Sequence, residues 1–362
     1  MPYKICIDCR ELTENLTGIG RFTYNLISLF CEPEFNNYEI FLISNKNIFF
    51  PENQRTFKII ENCNNFYFEF FFVNKFIKKN NINFFISPYY KLPFISFNKC
   101  IKIITIHDIG FITFPSEFYA RSNFYRLFAK KKLLNSLYNS DFIFAVSNFT
   151  KNEIIENFNI NEKKIFILNN YINDEFLNLA NNMNKKIESE FILCVCNFKP
   201  HKNIKALIFA YNKYYEKIKI PLYIIGGAGI WFDKIKKIIL ENNFKNIFLI
   251  NNIDNQQLSN FYKNAKLFVY PSLYEGFGLP PLEAIAFNCP VICSKEAALS
   301  EITGNSLFYF NPFNIDSIGK TIYHILNNDS KLKELQKKGK EESKKYNKEN
   351  TKKQLLNFFK NF

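Results

Sequence analysis

Several features that would assign this 362-residue chain quickly are missing from it. No apolar run reaches the roughly 18 residues of a membrane-spanning helix, and Lys4 and Asp8 stand too early for a secretory leader. A cytoplasmic protein is therefore expected, with peripheral contact at an inner membrane surface left open. No Asp-x-Asp pair occurs, so nothing in the sequence points to a carboxylate-held metal clamp. No recognisable base-stacking motif accompanies the basic charge, which argues against a nucleic-acid partner. The glycines do not form a full dinucleotide fingerprint with its later acidic residue, which argues against a redox dehydrogenase. The nine cysteines are odd in number, and Cys6-x-x-Cys9 has no second ligand pair nearby. They read as buried thiols rather than disulfides or a zinc site.

What is present begins with size. The chain is longer than one comfortable core, so two domains are expected, and a hydrophobic fraction of 47% supports globular packing. The net charge of +14 attracts anions, whether nucleotide phosphates, anionic lipid or nucleic acid, and charge alone does not choose. Phe 44 and Tyr 20 accompany abundant Asn, Lys and Ile, the pattern of AT-rich coding bias, and are given little functional weight.

The most informative stretch is Tyr270-Pro-Ser-Leu-Tyr-Glu-Gly-Phe-Gly-Leu-Pro-Pro-Leu-Glu283. The apolar run before it predicts a buried strand, and the apolar run after the prolines predicts a helix. Gly276 and Gly278 let the backbone approach a ligand, and Pro281 suits the first helical position. The amides near Phe277 and Leu279 and the positive helix end then favour an anion. Glu275 and Glu283 bracket this turn; carboxylates are poor phosphate ligands but suit sugar hydroxyls. A helix-first-turn carboxylate favoured by the dipole or by a capping box is the plain alternative for Glu283.

Along the chain, strands are expected at 3–7, 38–43, 83–87, 100–108, 141–146 and 165–168, with no assignable pattern over 44–82. Gly18 and Gly20 fall in a loop before a helix expected over 22–30, and His107-Asp108 closes a strand at its carboxyl end, where parallel sheets place function. Residues 122–139 predict a helix with Phe124, Leu127, Phe128, Leu134 and Tyr138 on one broad face and Lys131 inside the apolar arc. That face fits either core packing with a snorkelling lysine or a basic amphipathic surface meeting a membrane or lipid-linked acceptor. Ser147 is placed to cap the next helix. The polar segment 178–189 reads as a linker. Beyond it come strands at 191–196, 221–225, 246–250, 266–270 and 290–294, and helices at 256–264, 315–326 and from 331 onward.

The residues Glu275-Gly-Phe-Gly-Leu-Pro-Pro-Leu-Glu283, continued by Ala284-Ile-Ala-Phe-Asn-Cys-Pro-Val-Ile292, resemble the two-glutamate motif of family 4 glycosyltransferases. Ile7-Asp-Cys-Arg10 with Thr17-Gly-Ile-Gly-Arg-Phe22 resembles the opening of bacterial cell-surface-polysaccharide mannosyltransferases in that family. The resemblance implies an α/β fold of the GT-B type, two Rossmann-like domains with parallel sheets facing across a cleft. Residues 1–175 would be the acceptor domain, 185–345 the nucleotide-sugar donor domain, and 350–362 a final helix packing back on the first. By the same resemblance Glu283 binds ribose, Glu275 the donor sugar, and the amides of Gly276, Phe277, Gly278 and Leu279 the diphosphate. Lys202 matches a lysine that neutralises that diphosphate, while His201 stands where the mannosyltransferase-like members carry arginine, exchanging a permanent charge for one that titrates near neutrality. Gly18 and Gly20 would lie by the cleft, and His107 near the donor sugar and its phosphate.

The implied catalytic residues are thus His107, Lys202 and Glu275, with no metal and no cofactor beyond the donor substrate. The implied reaction is a retaining, metal-independent transfer of a hexosyl group, mannosyl from GDP-mannose, onto a cell-surface glycan or lipid-linked acceptor, as in lipopolysaccharide biosynthesis. A UDP-hexose donor, or a nucleotide-sugar-binding subunit that needs a partner for activity, is the alternative.

Overall fold

The computed structural model describes residues 2–13, 17–51, 55–96, 99–114, 123–179, 189–304 and 308–362. They divide into two compact units, one drawn from Met1–Ile112, Asn123–Asn170 and Thr351–Phe362, the other from Thr113–Ser122 and Tyr171–Asn350.

The first unit is built on strands β1 (Tyr3–Asp8), β2 (Tyr38–Ser44), β3 (Thr56–Ile60), β4 (Phe84–Ser87), β5 (Ile101–Ile106), β6 (Phe142–Ala145) and β7 (Ile165–Ile167). Their order is β3-β2-β1-β4-β5-β6-β7, and every pair is parallel. Continuous apolar runs such as Phe84–Ser87, buried at all four positions, suit a sheet covered on both faces. The register puts Cys6, Phe85, Ile104 and Ile143 on one face and Ile5, Phe84, Ile103 and Phe142 on the other. The first face is covered by Phe68, Val73 and Ile77 and, further along, by Leu133 and Leu137. The helix Lys348–Phe359 covers the other face. Phe358 meets Phe142, Phe144 and Phe166 edge-on, and Phe359 meets Phe30, Phe35 and Phe84. Such aromatic pairs add about 0.5–1.5 kcal/mol each beyond burial.

Two elements differ from the sequence reading. The first helix runs Gly18–Phe30, not from residue 22, because Thr17 caps it by accepting from the Gly20 amide at 3.3 Å. The second is the helix Asn123–Asn139, since residue 122 and the Phe124 side chain lie outside the described residues. It buries Ala129, Leu133, Ser136 and Leu137, whereas Leu127, Phe128 and Tyr138 are 68%, 52% and 60% exposed. Small residues at 129 and 136 let the helix sit close to the sheet, and the Leu92 amide donates to Ser136 Oγ at 2.9 Å.

The stretch 44–82, which carried no readable pattern, contains β3 and a continuous helical run, Asn65–Tyr67 and Val73–Asn80 joined by a π-helical turn over Phe68–Phe72. Aromatics on every side of this run erase the 3.6-residue signal, and the π turn shifts its inward face by one residue.

The second unit holds β8 (Ile192–Val195), β9 (Leu222–Ile225), β10 (Ile247–Ile250), β11 (Leu267–Tyr270), β12 (Val291–Ser294) and β13 (Phe308–Phe310), all parallel, in the order β10-β9-β8-β11-β12-β13. Side-chain caps explain its crisp helix starts. Asn314 opens Ile315–Leu326, and Asp254 with Gln257 forms a capping box at Asn255–Asn264. Ser147 likewise caps Asn148–Phe158 in the first unit, accepting from the Thr150 amide.

Of the linker segment 178–189, residues 180–188 lie outside the described residues. Both sheets share one topological property. The chain starts on an inner strand, builds outward to one side, then crosses to build the other, so the switch points lie between β1 and β4 and between β8 and β11. Open α/β sheets bind ligands at the carboxyl ends of such strands.

Candidate functional site

In the second unit, Lys202 closes a single 3-10 turn, Pro200–Lys202, in the loop after β8. Phe198 enters that loop at φ +58°, unusual for a bulky residue, with its ring buried edge-on to Phe232 at 5.2 Å. Gly226, after β9, passes so near Cys196 that a Cβ would lie 1.8 Å from its carbonyl oxygen, so only glycine fits. The His201 carbonyl accepts from the Leu273 amide at 2.8 Å and from Ser272 Oγ at 3.2 Å. The loops after β8 and β11 are thereby tied together across the switch point.

This tie brings Lys202 onto Glu275. Lys202 Nζ and Tyr270 Oη both donate to Glu275 Oε1, at 2.5 and 2.7 Å, and the ammonium also lies 5.9 Å from the Tyr270 ring centroid. The two charged side chains are only 11% and 12% exposed. Burial works to raise the Glu275 carboxyl, but attraction to Lys202 and then His201, with the two hydrogen bonds, outweighs it, so the group sits below the usual carboxylate range. Burial and the Glu275 charge push Tyr270 well up, so its hydroxyl remains a proton donor. Among the described residues Glu275 Oε2 carries no hydrogen bond.

The turn ends at Gly278, with φ +105°, where a Cβ would meet Leu299 Cδ2 at 2.8 Å. Helix Leu279–Ala286 follows, so Pro281 occupies the third helical position rather than the first, and Pro280 the second. Two prolines remove two of the four amides a helix start ordinarily leaves open. The donors left there are the amides of Phe277, Gly278 and Leu279, which among the described residues give no hydrogen bond to the protein. Glu283 sits past the first turn, which has no acidic residue, so the plain capping reading does not describe it. Its side chain is buried and accepts from Tyr262 Oη at 2.8 Å. The structure thus brings Lys202, Glu275 and the His201 backbone together beside Gly276, and holds Glu283 through a separate partner.

The remaining candidates belong to the first unit. Gly18 and Gly20 lie in the first turn of their helix, with open space around Gly18 and the Gly20 amide turned to Thr17. His107 follows β5, with Nε2 at 2.9 Å from the Pro88 carbonyl, which fixes the proton there, and with Phe22 edge-on at 4.9 Å. Enclosure of the ring lowers its pKa to about 4, only partly offset by that hydrogen bond. The imidazole is neutral near pH 7, although part of the residue's surface reaches solvent.

Sequence reasoning missed two features. Tyr270 was visible only as a strand residue, and its hydroxyl reaches Glu275 only after the turn is folded. At the first unit's switch point lies a polar cavity of about 110 Å³ lined by Asp8, Arg10, Lys46, Glu69, Ser87 and Lys91, among others. Arg10 is clamped by Asp8 and Glu69, each at 2.8 Å, and stacks on Phe68. Burial opposes its charge, but the two carboxylates hold it above its ordinary range.

Comparison with known proteins agrees with this layout. Residues 17–176 match the profile "Glycosyltransferase Family 4" and residues 176–342 the profile "Glycosyl transferases group 1". The O-antigen chain mannosyltransferase B of Escherichia coli is 28% identical over 269 residues, 71% of this chain and 70% of that protein. The O-antigen chain mannosyltransferase RfbU of Salmonella typhimurium is 29% identical over 212 residues, 58% of this chain and 57% of that one. Among solved structures, a sucrose-phosphate synthase from Thermosynechococcus elongatus superposes with a TM-score of 0.78 over 99% of both chains at 16% identity, which is a likeness of fold. The two profiles together cover residues 17–342, and with two parallel Rossmann-like sheets beneath them the chain belongs to the family 4 glycosyltransferases and has the GT-B type of fold.

Proposed function

We propose that this glycosyltransferase moves a mannosyl group from GDP-mannose to a cell-surface glycan or lipid-linked acceptor. The observation that carries the reading is the Lys202–Glu275 pair at the β8/β11 switch point, beside the open amides of Phe277, Gly278 and Leu279. Cleaving the anomeric bond develops negative charge on the leaving diphosphate, and fixed donors aimed at that charge are the largest contribution a protein can make. Lys202 and those amides supply them. Glu275, held through Oε1 by Lys202 and Tyr270, offers Oε2 to a sugar hydroxyl, and Glu283 takes the ribose. His107, neutral, acts on the substrate as a hydrogen-bonding group rather than as a charge.

The O-antigen mannosyltransferases among the relatives favour mannose as the sugar. With no placed nucleophile in the sequence, the proposed route is a same-face, retaining transfer without a metal, in which the donor phosphate helps deprotonate the acceptor. The experiment is a thermal-shift screen of nucleotide sugars, followed by GDP release from purified protein with acceptor supplied. Strong stabilisation by GDP-mannose alone supports the reading, since a ligand at about 100 times its Kd stabilises by about 2.7 kcal/mol. A shift produced by UDP-hexoses instead overturns the donor, and donor binding without turnover points to a subunit that needs a partner.

A further inference from the structure

The first unit carries more large apolar side chains on its outside than its core requires. Phe68, Val73 and Ile77, then Leu133 and Leu137, already fill one face of its sheet. Yet Phe66, Phe70 and Phe71 are 65%, 47% and 55% exposed. Their rings form one cluster, with centroids 4.7 Å apart for Phe66–Phe70 and 6.2 Å for Phe66–Phe71, and Tyr67 stacks on Phe71 at 5.7 Å.

The cluster lies on the same face of the sheet as the helix Asn123–Asn139. The Phe94 amide donates to the Glu69 carbonyl, and the Leu92 amide to Ser136 Oγ, both at 2.9 Å. Segment 92–94 therefore bridges the two helical runs on the same face of the sheet, where Phe94, Leu127 and Phe128 are also exposed. Basic residues are concentrated on the two elements that carry this apolar surface. The two runs, 65–80 and 123–139, hold Lys75, Lys78, Lys79, Arg126, Lys130, Lys131 and Lys132 against a single acid, Glu69, and Glu69 is engaged by Arg10. Lys132 Nζ lies 5.0 Å from the Phe128 ring centroid.

We propose that this surface docks the protein on an anionic lipid bilayer. Contiguous exposed apolar patches mark interaction surfaces. Aromatics surrounded by lysine fit the boundary between acyl chains and negative headgroups, where rings insert and ammoniums stay in the headgroup layer. A protein partner fits less well, because lysine is depleted at protein interfaces. A second copy would bring two faces of the same sign together. Asn65, Glu69 and Lys91 also line the polar cavity, so docking would set that cavity at headgroup level. The inference stands on the surface itself and does not require the donor to be GDP-mannose.

The test is co-sedimentation of the full chain with phosphatidylcholine vesicles, with and without phosphatidylglycerol, at low and high salt. The expected result is binding to the phosphatidylglycerol vesicles that salt weakens. Lys130→Ala with Lys131→Ala should weaken partitioning about 30-fold, from the roughly 1 kcal/mol that each basic group contributes near such a surface. Phe66→Ser with Phe70→Ser and Phe71→Ser should abolish it while leaving nucleotide-induced thermal stabilisation unchanged, which separates failure of docking from failure of the donor site. If the serine variant unfolds, the lysine pair and Leu127→Ser with Phe128→Ser decide. Equal partitioning of wild type and variants, binding to neutral vesicles that the lysine changes do not alter, or a solution dimer that the serine changes dissociate would each overturn the proposal.

Discussion

Replacing Lys202 by methionine should destabilise the second unit by about 3 kcal/mol at neutral pH. The Lys202–Glu275 contact is 2.5 Å and both side chains are nearly enclosed. Removing one partner of a buried pair leaves an uncompensated charge, at about 3–5 kcal/mol, and the residual exposure of Glu275 argues for the lower end. At roughly 2–4 °C per kcal/mol for a unit of this size, the midpoint should fall by about 6–12 °C. The pH dependence gives a sharper signature. In the wild type the Glu275 carboxyl is depressed below 4.5, so its contribution is present above that value and lost as pH falls through the folded value. Without Lys202, burial dominates and raises the same group, so the variant loses stability as pH rises above about 4.5. The gap between the proteins should therefore widen from pH 4.5 to 7. Glu275→Gln added to Lys202→Met should recover most of the loss, because no buried charge remains. Thermal melts of the three proteins across that range test this. A gap independent of pH, or a double variant no more stable than the single, would refute the reasoning.

Glu283→Ala should weaken GDP and GDP-mannose binding in calorimetric titration, whereas Glu275→Gln should mainly lower turnover with donor affinity retained. The lowered His107, at about 4, means that the unfolded chain takes up its proton first as pH drops from about 6.5. Stability from this residue is therefore present above that value and lost towards pH 4, and His107→Gln should flatten that part of a denaturation-versus-pH curve. Gly278→Ala faces both φ +105° and the Leu299 side chain. A loss of about 1–3 kcal/mol is expected, read from chemical denaturation, together with weaker GDP binding because the turn amides move.

The parts of this protein that were legible in its sequence are those where local chemistry and tertiary structure agree. The helix Ile315–Leu326 has a side-chain cap and a clean apolar period, and the chain from Glu275 to Glu283 carries its glycines, prolines and carboxylates in one short run. Legibility failed where several local solutions compete. Phe66 to Val73 is aromatic or apolar at every position but Glu69, so no period reveals its π turn. In Asn123–Asn139 the large residues Leu127, Phe128 and Tyr138 suggested the inward face, but Ala129, Leu133, Ser136 and Leu137 are the ones buried against the sheet. Gly18 and Gly20 read as loop until Thr17 is seen to cap them. The Lys202–Glu275 pair spans 73 positions, and no local pattern can announce a contact that only the switch between β8 and β11 creates.

The central claim, that Lys202 and the turn after β11 form the donor diphosphate site, is tested most directly by titrating GDP and GDP-mannose into the wild type and Lys202→Ala. A lost charge-assisted contact is worth about 1.5–3 kcal/mol, so both ligands should bind roughly 10- to 150-fold more weakly to the folded variant. Unchanged dissociation constants for both would contradict the account.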